Sequence, residues 1–321
     1  MNLLPYDSII IDALEELAPN NFHYIDSLLL IPEHGTDWIL NLPNEVNADV
    51  VVMHAQDYMH ISQDGSSNEI NLIAEFQQTH DIKTLILVHW NHNLKSVNNT
   101  SINLVEFPSH SHDLVQDLIR NKDKWLDIVN NRCQTNNYMC LNGILKTHRK
   151  NTYDYLTTLN IPSVLTSSLT PNSYNFPKYD DYNWDNIGNY ISLLDVYRTT
   201  PVNIVTESLY EEPVGIITEK TLFAFASLQL PILVAHKGAV KDAESYGFDM
   251  FTDIIDHSYD NLPNDVRWKS AIDLNMHILN GKFNYDDLLP RLKKNQEYLI
   301  NGYLEFIETK LLTQLTNAVN N

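Results

Sequence analysis

Two α/β lobes, each a parallel sheet with crossover helices, are what this chain predicts, and three observations predict them. Short unbroken apolar runs alternate with helical patterns over the first ~130 residues, as buried parallel strands and their connecting helices do. At 321 residues the chain is too long for one typical core and suits two domains of roughly 150 residues each. With 43% hydrophobic residues it can bury both. The expected boundaries are 1–132 for the first lobe and 133–284 for the second. A long amphipathic helix then spans 285–321 and packs back across the lobes, with apolar residues at Leu288, Leu292, Leu299, Tyr303, Phe306, Ile307, Leu311 and Leu315.

In chain order, strands are expected at 27–31, 49–54, 84–89 and 102–107, with helices at 69–80 and 112–121 between them. A second α/β unit starts with a short strand and turn at 138–143 and a helix over 147–159. The connection at 166–189 carries Tyr174, Phe176, Tyr179, Tyr182 and Trp184, which argues against simple disorder. The pattern resumes with a strand at 202–207, a helix beginning after Thr218, a strand at 231–235 and a helix over 239–246.

Charge and motifs narrow the function. Against 21 basic side chains stand 41 acidic ones, a net charge of -20, which disfavours a nucleic-acid partner. No GxGxxG follows a strand, and GxxxxGK[ST], HExxH and GxSxG are missing, so dinucleotide oxidoreductases, P-loop NTPases, zincin proteases and serine hydrolases lose support. No DxD pair is present to chelate a cation on a pyrophosphate, so phosphate neutralisation by protein cations is expected, with no metal and no resident cofactor. Cys133 and Cys140 suggest a reducing compartment. No basic leader precedes the first acids and no apolar stretch approaches the ~20 residues that span a bilayer, so a cytoplasmic protein without a membrane span is expected.

Residues beyond the carboxyl ends of parallel strands line the crevice of open α/β sheets, which places Asp57, His89 and His92 where chemistry happens. His89, His92, His110 and His112 lie close in sequence, but no cysteine or acidic cluster completes a metal shell beside them. The most informative stretch is Ile217-Thr218-Glu219-Lys220-Thr221-Leu222: an apolar run meets Thr218, a good N-cap, and opposite charges fill the first turn. Backbone N–H groups and the helix dipole favour an anion there, Lys220 adds a positive charge, and Glu219 can accept from a sugar hydroxyl. A plain capped helix explains the same residues.

Three pieces then follow one another in order: Cys140-Leu141-Asn142-Gly143 with the basic turn Lys146-Thr147-His148-Arg149-Lys150; Asn203-Ile204-Val205-Thr206-Glu207; and Thr218-Glu219-Lys220 with Pro231-Ile232-Leu233-Val234. Together they resemble the donor-binding half of the alpha-1,3-fucosyltransferase family, over roughly residues 138 to 260. The tail Gly247-Phe248 and Ser258-Tyr259-Asp260 is similar to phage-encoded relatives of these enzymes, which adds a virus-encoded protein in a host cytoplasm to the possible settings. The resemblance implies two Rossmann-like lobes in the GT-B arrangement, the first on the acceptor side and the second binding the donor. It further implies inverting transfer of a sugar, fucose from GDP-fucose in that family, to a glycan or other hydroxyl acceptor.

By the same resemblance Arg149 and Lys220 neutralise the donor pyrophosphate, Glu219 holds ribose or sugar hydroxyls, and Glu207 closes the site from the neighbouring strand, with Asn142 at the end of the first strand of that half. The chain departs from the family where Ser208, in place of Asn, follows the acid, and where no family catalytic Glu motif occurs in the first lobe. An inverting transfer needs a base for the acceptor hydroxyl. Asp57, Glu106 and His89, each at an expected strand end, are the candidates, and their order stays open. The rival reading is a non-catalytic sugar-, nucleotide- or glycan-binding protein on the same fold.

Overall fold

The structure is a computed structural model that describes residues 5–19, 21–26, 42, 46–55, 68–89, 101–143, 146–166, 193–211 and 217–320. It is an α/β protein with two parallel sheets. By compactness the chain divides into two units, one of Met1–Asp113, Glu212–Ile216 and Glu305–Asn321, the other of Leu114–Glu211 and Ile217–Leu304.

The first unit holds helix α1 (Pro5–Leu17), strands β1 (Phe22–Asp26) and β2 (Val50–Ala55), helix α2 (Asn68–Thr79), and strands β3 (Thr84–His89) and β4 (Ile102–Glu106). The strands pair in sequence order, β1-β2-β3-β4, and every pairing is parallel. Burial explains the apolar runs: Val51, Met53, Leu85, Leu87 and Ile102 form a core with Ile70, Ile73 and Phe76 of α2. Each such side chain contributes about 1.5–3 kcal/mol when fully buried. The described strand β1 ends at Asp26; the expected strand at 27–31 lies outside the described residues.

Helices α3 (Ser109–Arg120) and α4 (Lys122–Asn130) lead into the second unit. There follow β5 (Tyr138–Leu141), α5 (Thr147–Thr158), β6 (Ser163–Thr166), α6 (Leu194–Tyr197), β7 (Val202–Thr206), α7 (Glu219–Ala226), β8 (Leu230–Val234) and α8 (Ala239–Ser245). After a 3-10 turn at Ser258–Asn261 come α9 (Asn264–Asp273), α10 (Met276–Leu279), α11 (Tyr285–Asn301) and α12 (Tyr303–Asn320). The sheet order is β6-β5-β7-β8, all parallel. Every residue of β7 and β8 is buried, as expected of parallel strands covered on both faces. Pro231 fits because β8 is an edge strand, where a missing N–H costs no ladder bond.

Two local expectations change. The connection expected from residue 166 onward begins instead as the end of β6, an edge strand too short and polar to announce itself. The expected single terminal helix is two helices, α11 and α12, broken at Gly302, where φ is -131. The ring of Tyr298 crowds that position: a Cβ at residue 302 would lie 2.9 Å from its Cδ2. The apolar spacing survives the break because both segments are amphipathic, so periodicity alone cannot show it. From residue 305 the chain belongs to the first unit, where Gln314 accepts from the backbone N–H of Glu106 at 3.1 Å and donates to its carbonyl at 3.1 Å.

Candidate functional site

At the carboxyl edge of the second sheet, β5 runs into Asn142, β7 into Glu207 and Ser208, and α7 starts beside them. Asn142 is fixed first: its backbone N–H donates to Thr166 Oγ1 at 3.1 Å, and its side-chain carbonyl accepts from Thr206 Oγ1 at 2.6 Å. This ties the ends of β6, β5 and β7 together.

Thr218 caps α7 as its residue type predicts, with an extended backbone and its hydroxyl accepting from the Lys220 N–H. What holds the cap is Glu207, whose side chain is fully buried. Its carboxylate accepts from the Thr218 N–H at 3.2 Å, from the Thr221 hydroxyl at 2.6 Å and from the Thr218 hydroxyl. A buried carboxylate is tolerated only when so bonded, and the helix dipole adds to its stabilisation. Glu207 therefore acts on the site through the position of α7.

Three cations gather around Ser208. Lys146 Nζ donates to the Ser208 carbonyl at 2.7 Å, Arg149 Nη2 lies 3.5 Å from the Ser208 hydroxyl, and Lys220 Nζ lies 3.3 Å from the same hydroxyl. Arg149 is buried on α5 and also donates to the Thr206 carbonyl at 3.1 Å, so its ring of donors is aimed at the end of β7. It is Lys150, one residue on, that pairs with Asp154 on the helix surface. Burial lowers the Lys146 pKa, and repulsion from Arg149 and Lys220 lowers it further. Lys220 is balanced by Glu219 Oε1 at 2.5 Å, and Glu219 is itself buried.

His148 completes the wall. Its ring stacks on Tyr210, centroids 4.6 Å apart and 10° from parallel, and its Nε2 faces the Glu207 carbonyl at 3.0 Å. A carbonyl only accepts, so Nε2 carries the hydrogen. Burial pushes the His148 pKa down to about 4, with Arg149, Lys146 and Arg267 contributing repulsion, so the ring is neutral at pH 7.

All of Asn142, Arg149, Glu207, Glu219 and Lys220 thus fall at one sheet edge. Lys146, Ser208, Thr221 and His148 join them, although the sequence assigned none of the four a role in the site. The signal for Lys146 was present: it stands at the N-cap of α5 in the basic turn. Nothing in the sequence marks Ser208 as the point where the cations meet, since that depends on the ends of two strands and two helices.

The base candidates belong to the first unit. His89 and Glu106 are register partners on neighbouring strands, both buried, so their side chains share a face of the sheet. Glu106 Oε1 pairs with Lys310 Nζ at 3.1 Å. His112 Nε2 lies 3.0 Å from Glu308 Oε1, which accounts for it by packing and hydrogen bonding. Asp57 and His92 lie outside the described residues, as do the side chain of His110 and the aromatic stretch from Tyr174 to Trp184. A further polar group appears at the end of β2: Tyr24 donates to Asp7 on α1, and His54 Nδ1 lies 3.3 Å from the same carboxylate. Among the described residues no group of three or more His, Cys, Asp or Glu side chains could hold a metal ion. Among the same residues no helix is long and apolar enough to cross a membrane.

No protein family matches the chain, and no curated protein sequence is similar to it. Among solved structures it is similar to the wall teichoic acid polymerase TagF. A histidine-to-alanine form of that protein is 10% identical at a TM-score of 0.27, with 98% of this chain and 84% of that one covered. A histidine-to-asparagine form soaked with CDPG is 11% identical at a TM-score of 0.28, with the same coverage. At these values the likeness carries no argument about chemistry.

Proposed function

We propose that the protein is a metal-independent, inverting glycosyltransferase of the GT-B kind, which moves a sugar from a nucleotide-diphosphate donor to a hydroxyl acceptor. One observation carries the reading: Lys146, Arg149 and Lys220 converge on Ser208 in a chain of net charge -20. Mutually repelling cations at the carboxyl edge of a parallel sheet, beside a helix N-terminus, call for an anion. A pyrophosphate satisfies them. Lys146 and Lys220 meet phosphate oxygens, Arg149 adds charge from the buried side, and Glu219 accepts from ribose or sugar hydroxyls. Asn142 and Glu207 hold the walls in place.

In the transfer the acceptor oxygen attacks the anomeric carbon and its proton passes to a base. The bond from that carbon to the phosphate oxygen breaks, and the nucleoside diphosphate leaves with the electron pair, stabilised by the cations. Asp57, His89 and Glu106 are the candidates for the base. Fucose is the sugar the sequence resemblance favours, with GDP-fucose as donor.

The test is a thermal-stability screen against nucleotide sugars and their free sugars. A donor held at 100 times its dissociation constant stabilises the protein by ~2.7 kcal/mol, and Lys220→Ala should abolish that shift, read against the variant's own unliganded unfolding. Unchanged donor affinity in the variant would sink the assignment. The second reading, a nucleotide-sugar-binding protein without transfer, is favoured by the Glu106–Lys310 pair, which engages one base candidate. Donor binding without turnover under every acceptor tried would select it.

A further inference from the structure

The second unit carries a cavity at the edge of its sheet opposite the cation cluster. It has a volume of about 680 Å³, within the usual range for small-molecule pockets. Asn137, Pro201 and Leu228, which line it, immediately precede or closely approach the amino ends of β5, β7 and β8. The strands are parallel and a five-residue strand spans about 16 Å, so this cavity and the cation cluster are separate sites.

Its chemistry differs from that of the cation site. Carboxamides dominate the polar lining, from Asn130, Gln134, Asn136, Asn137 and Asn284, and the rings of Phe283 and Tyr285 stand among them. Several are held in place. Asn284 accepts from the Asp286 N–H at 3.2 Å as the cap of α11, and Asn137 Nδ2 donates to the Leu279 carbonyl at 2.9 Å. A carboxamide carries two donors and an oxygen with two lone pairs, so a single bond fixes its orientation and leaves capacity for a ligand. Tyr285 is fixed at both ends: its hydroxyl donates to the Leu228 carbonyl at 2.9 Å, and the Arg132 guanidinium lies 5.0 Å from its ring centroid.

The formal charges of the cavity are two cations, Arg132 and Lys293, and one anion, Asp286. Arg132 is committed to the carbonyls of Ser227, Leu228 and Thr200, which leaves Lys293 set against Asp286. A phosphate-bearing ligand would meet Asp286 as well as Lys293, and a fatty one no continuous apolar wall. Paired donors and acceptors at short reach, interleaved with aromatic faces, match vicinal hydroxyls and the apolar faces of pyranose rings. We propose that this cavity binds a short neutral oligosaccharide, as a glycan site separate from the cation cluster. The proposal does not rest on the donor reading.

Saturation-transfer NMR with chitotriose, cellotriose and mannotriose at millimolar concentration tests it. At least one should receive saturation, and Gln134→Ala combined with Asn136→Ala should weaken its binding at least tenfold. Gln134 is exposed and Asn136 half-buried, so the variant should unfold at the same temperature as the parent. Phe283→Ala should remove the aromatic contribution, while nucleotide-sugar affinity stays unchanged in both variants. Saturation of none of the three sugars, undiminished binding in both variants, or displacement of the oligosaccharide by a nucleotide sugar would overturn the assignment.

Discussion

The carboxyl edges of the two sheets invite comparison, because on the same architecture the described residues there meet different partners. Among the described residues of the first unit, Glu106 pairs with Lys310, His112 lies against Glu308, and His54 lies against Asp7, which Tyr24 also contacts. In the second, three cations share one serine, with carbonyl and hydroxyl oxygens among their partners, and Lys220 has the Glu219 carboxylate beside it. An open parallel sheet supplies the place for a site, while the charges at its edge decide what the place can hold.

The sharpest way to break this contrast is to remove the cations. Lys146→Ala combined with Lys220→Ala should weaken nucleotide-sugar binding more than ~100-fold, since each charge-assisted hydrogen bond lost costs about 1.5–3 kcal/mol. Calorimetry reads the affinity, and the unliganded variant should unfold earlier than the parent because the buried Glu219 loses its Lys220 partner. Retained affinity would mean that the cluster is structural, like the pairs in the first unit.

Next in size is the brace beneath it. Glu207→Ala leaves Thr218 and Thr221 without their acceptor and should lower stability by about 3 kcal/mol, seen in denaturant unfolding. A loss below about 1 kcal/mol would show that α7 holds its place through packing alone.

Acid should separate two opposing groups. His148 titrates at about 4 in the folded protein against 6.5 ordinarily, so the unfolded chain takes up the proton first and stability falls as pH drops from 6.5 towards 4. The contribution is about 3 kcal/mol. Asp260 behaves in the reverse sense: burial raises its carboxyl to about 6 from 3.8, so its cost is present above pH 6 and is relieved as pH falls towards 3.8. His148→Gln should therefore flatten the acid loss, and Asp260→Asn should steepen it while stabilising the protein at pH 7. Equal pH profiles for both variants and the parent would refute the assignments.

Smallest is the first-unit control. Glu106→Gln should cost about 1 kcal/mol in stability, because its partner Lys310 is partly exposed. Donor affinity should not change; loss of turnover at unchanged affinity would identify Glu106 as the base, and full turnover would leave Asp57 and His89.

Much of the second unit was legible from residues alone. The run Val202 to Thr206 is apolar and β-branched enough to be a buried strand, and Thr218-Glu219-Lys220 is a helix start by capping chemistry. The first unit's strands at β2, β3 and β4 follow from the same unbroken apolar runs. Harder to read were β6, which has only four residues, and the break at Gly302, which depends on a ring packed against it. The cavity at the amino edge was not legible, since its lining comes from segments as distant as Asn130 and Lys293.

By itself, then, the sequence determined the α/β class, most of the strands and the capped start of α7, because apolar periodicity and cap chemistry act over a few neighbouring residues. Only the tertiary structure decided that Lys146 joins Arg149 and Lys220 at Ser208, that the Glu207 carboxylate turns towards α7, and that Glu106 meets Lys310. Those contacts join residues from 11 to 204 positions apart, and side chains so separated meet only where the packing of whole elements brings their charges and hydrogen bonds together.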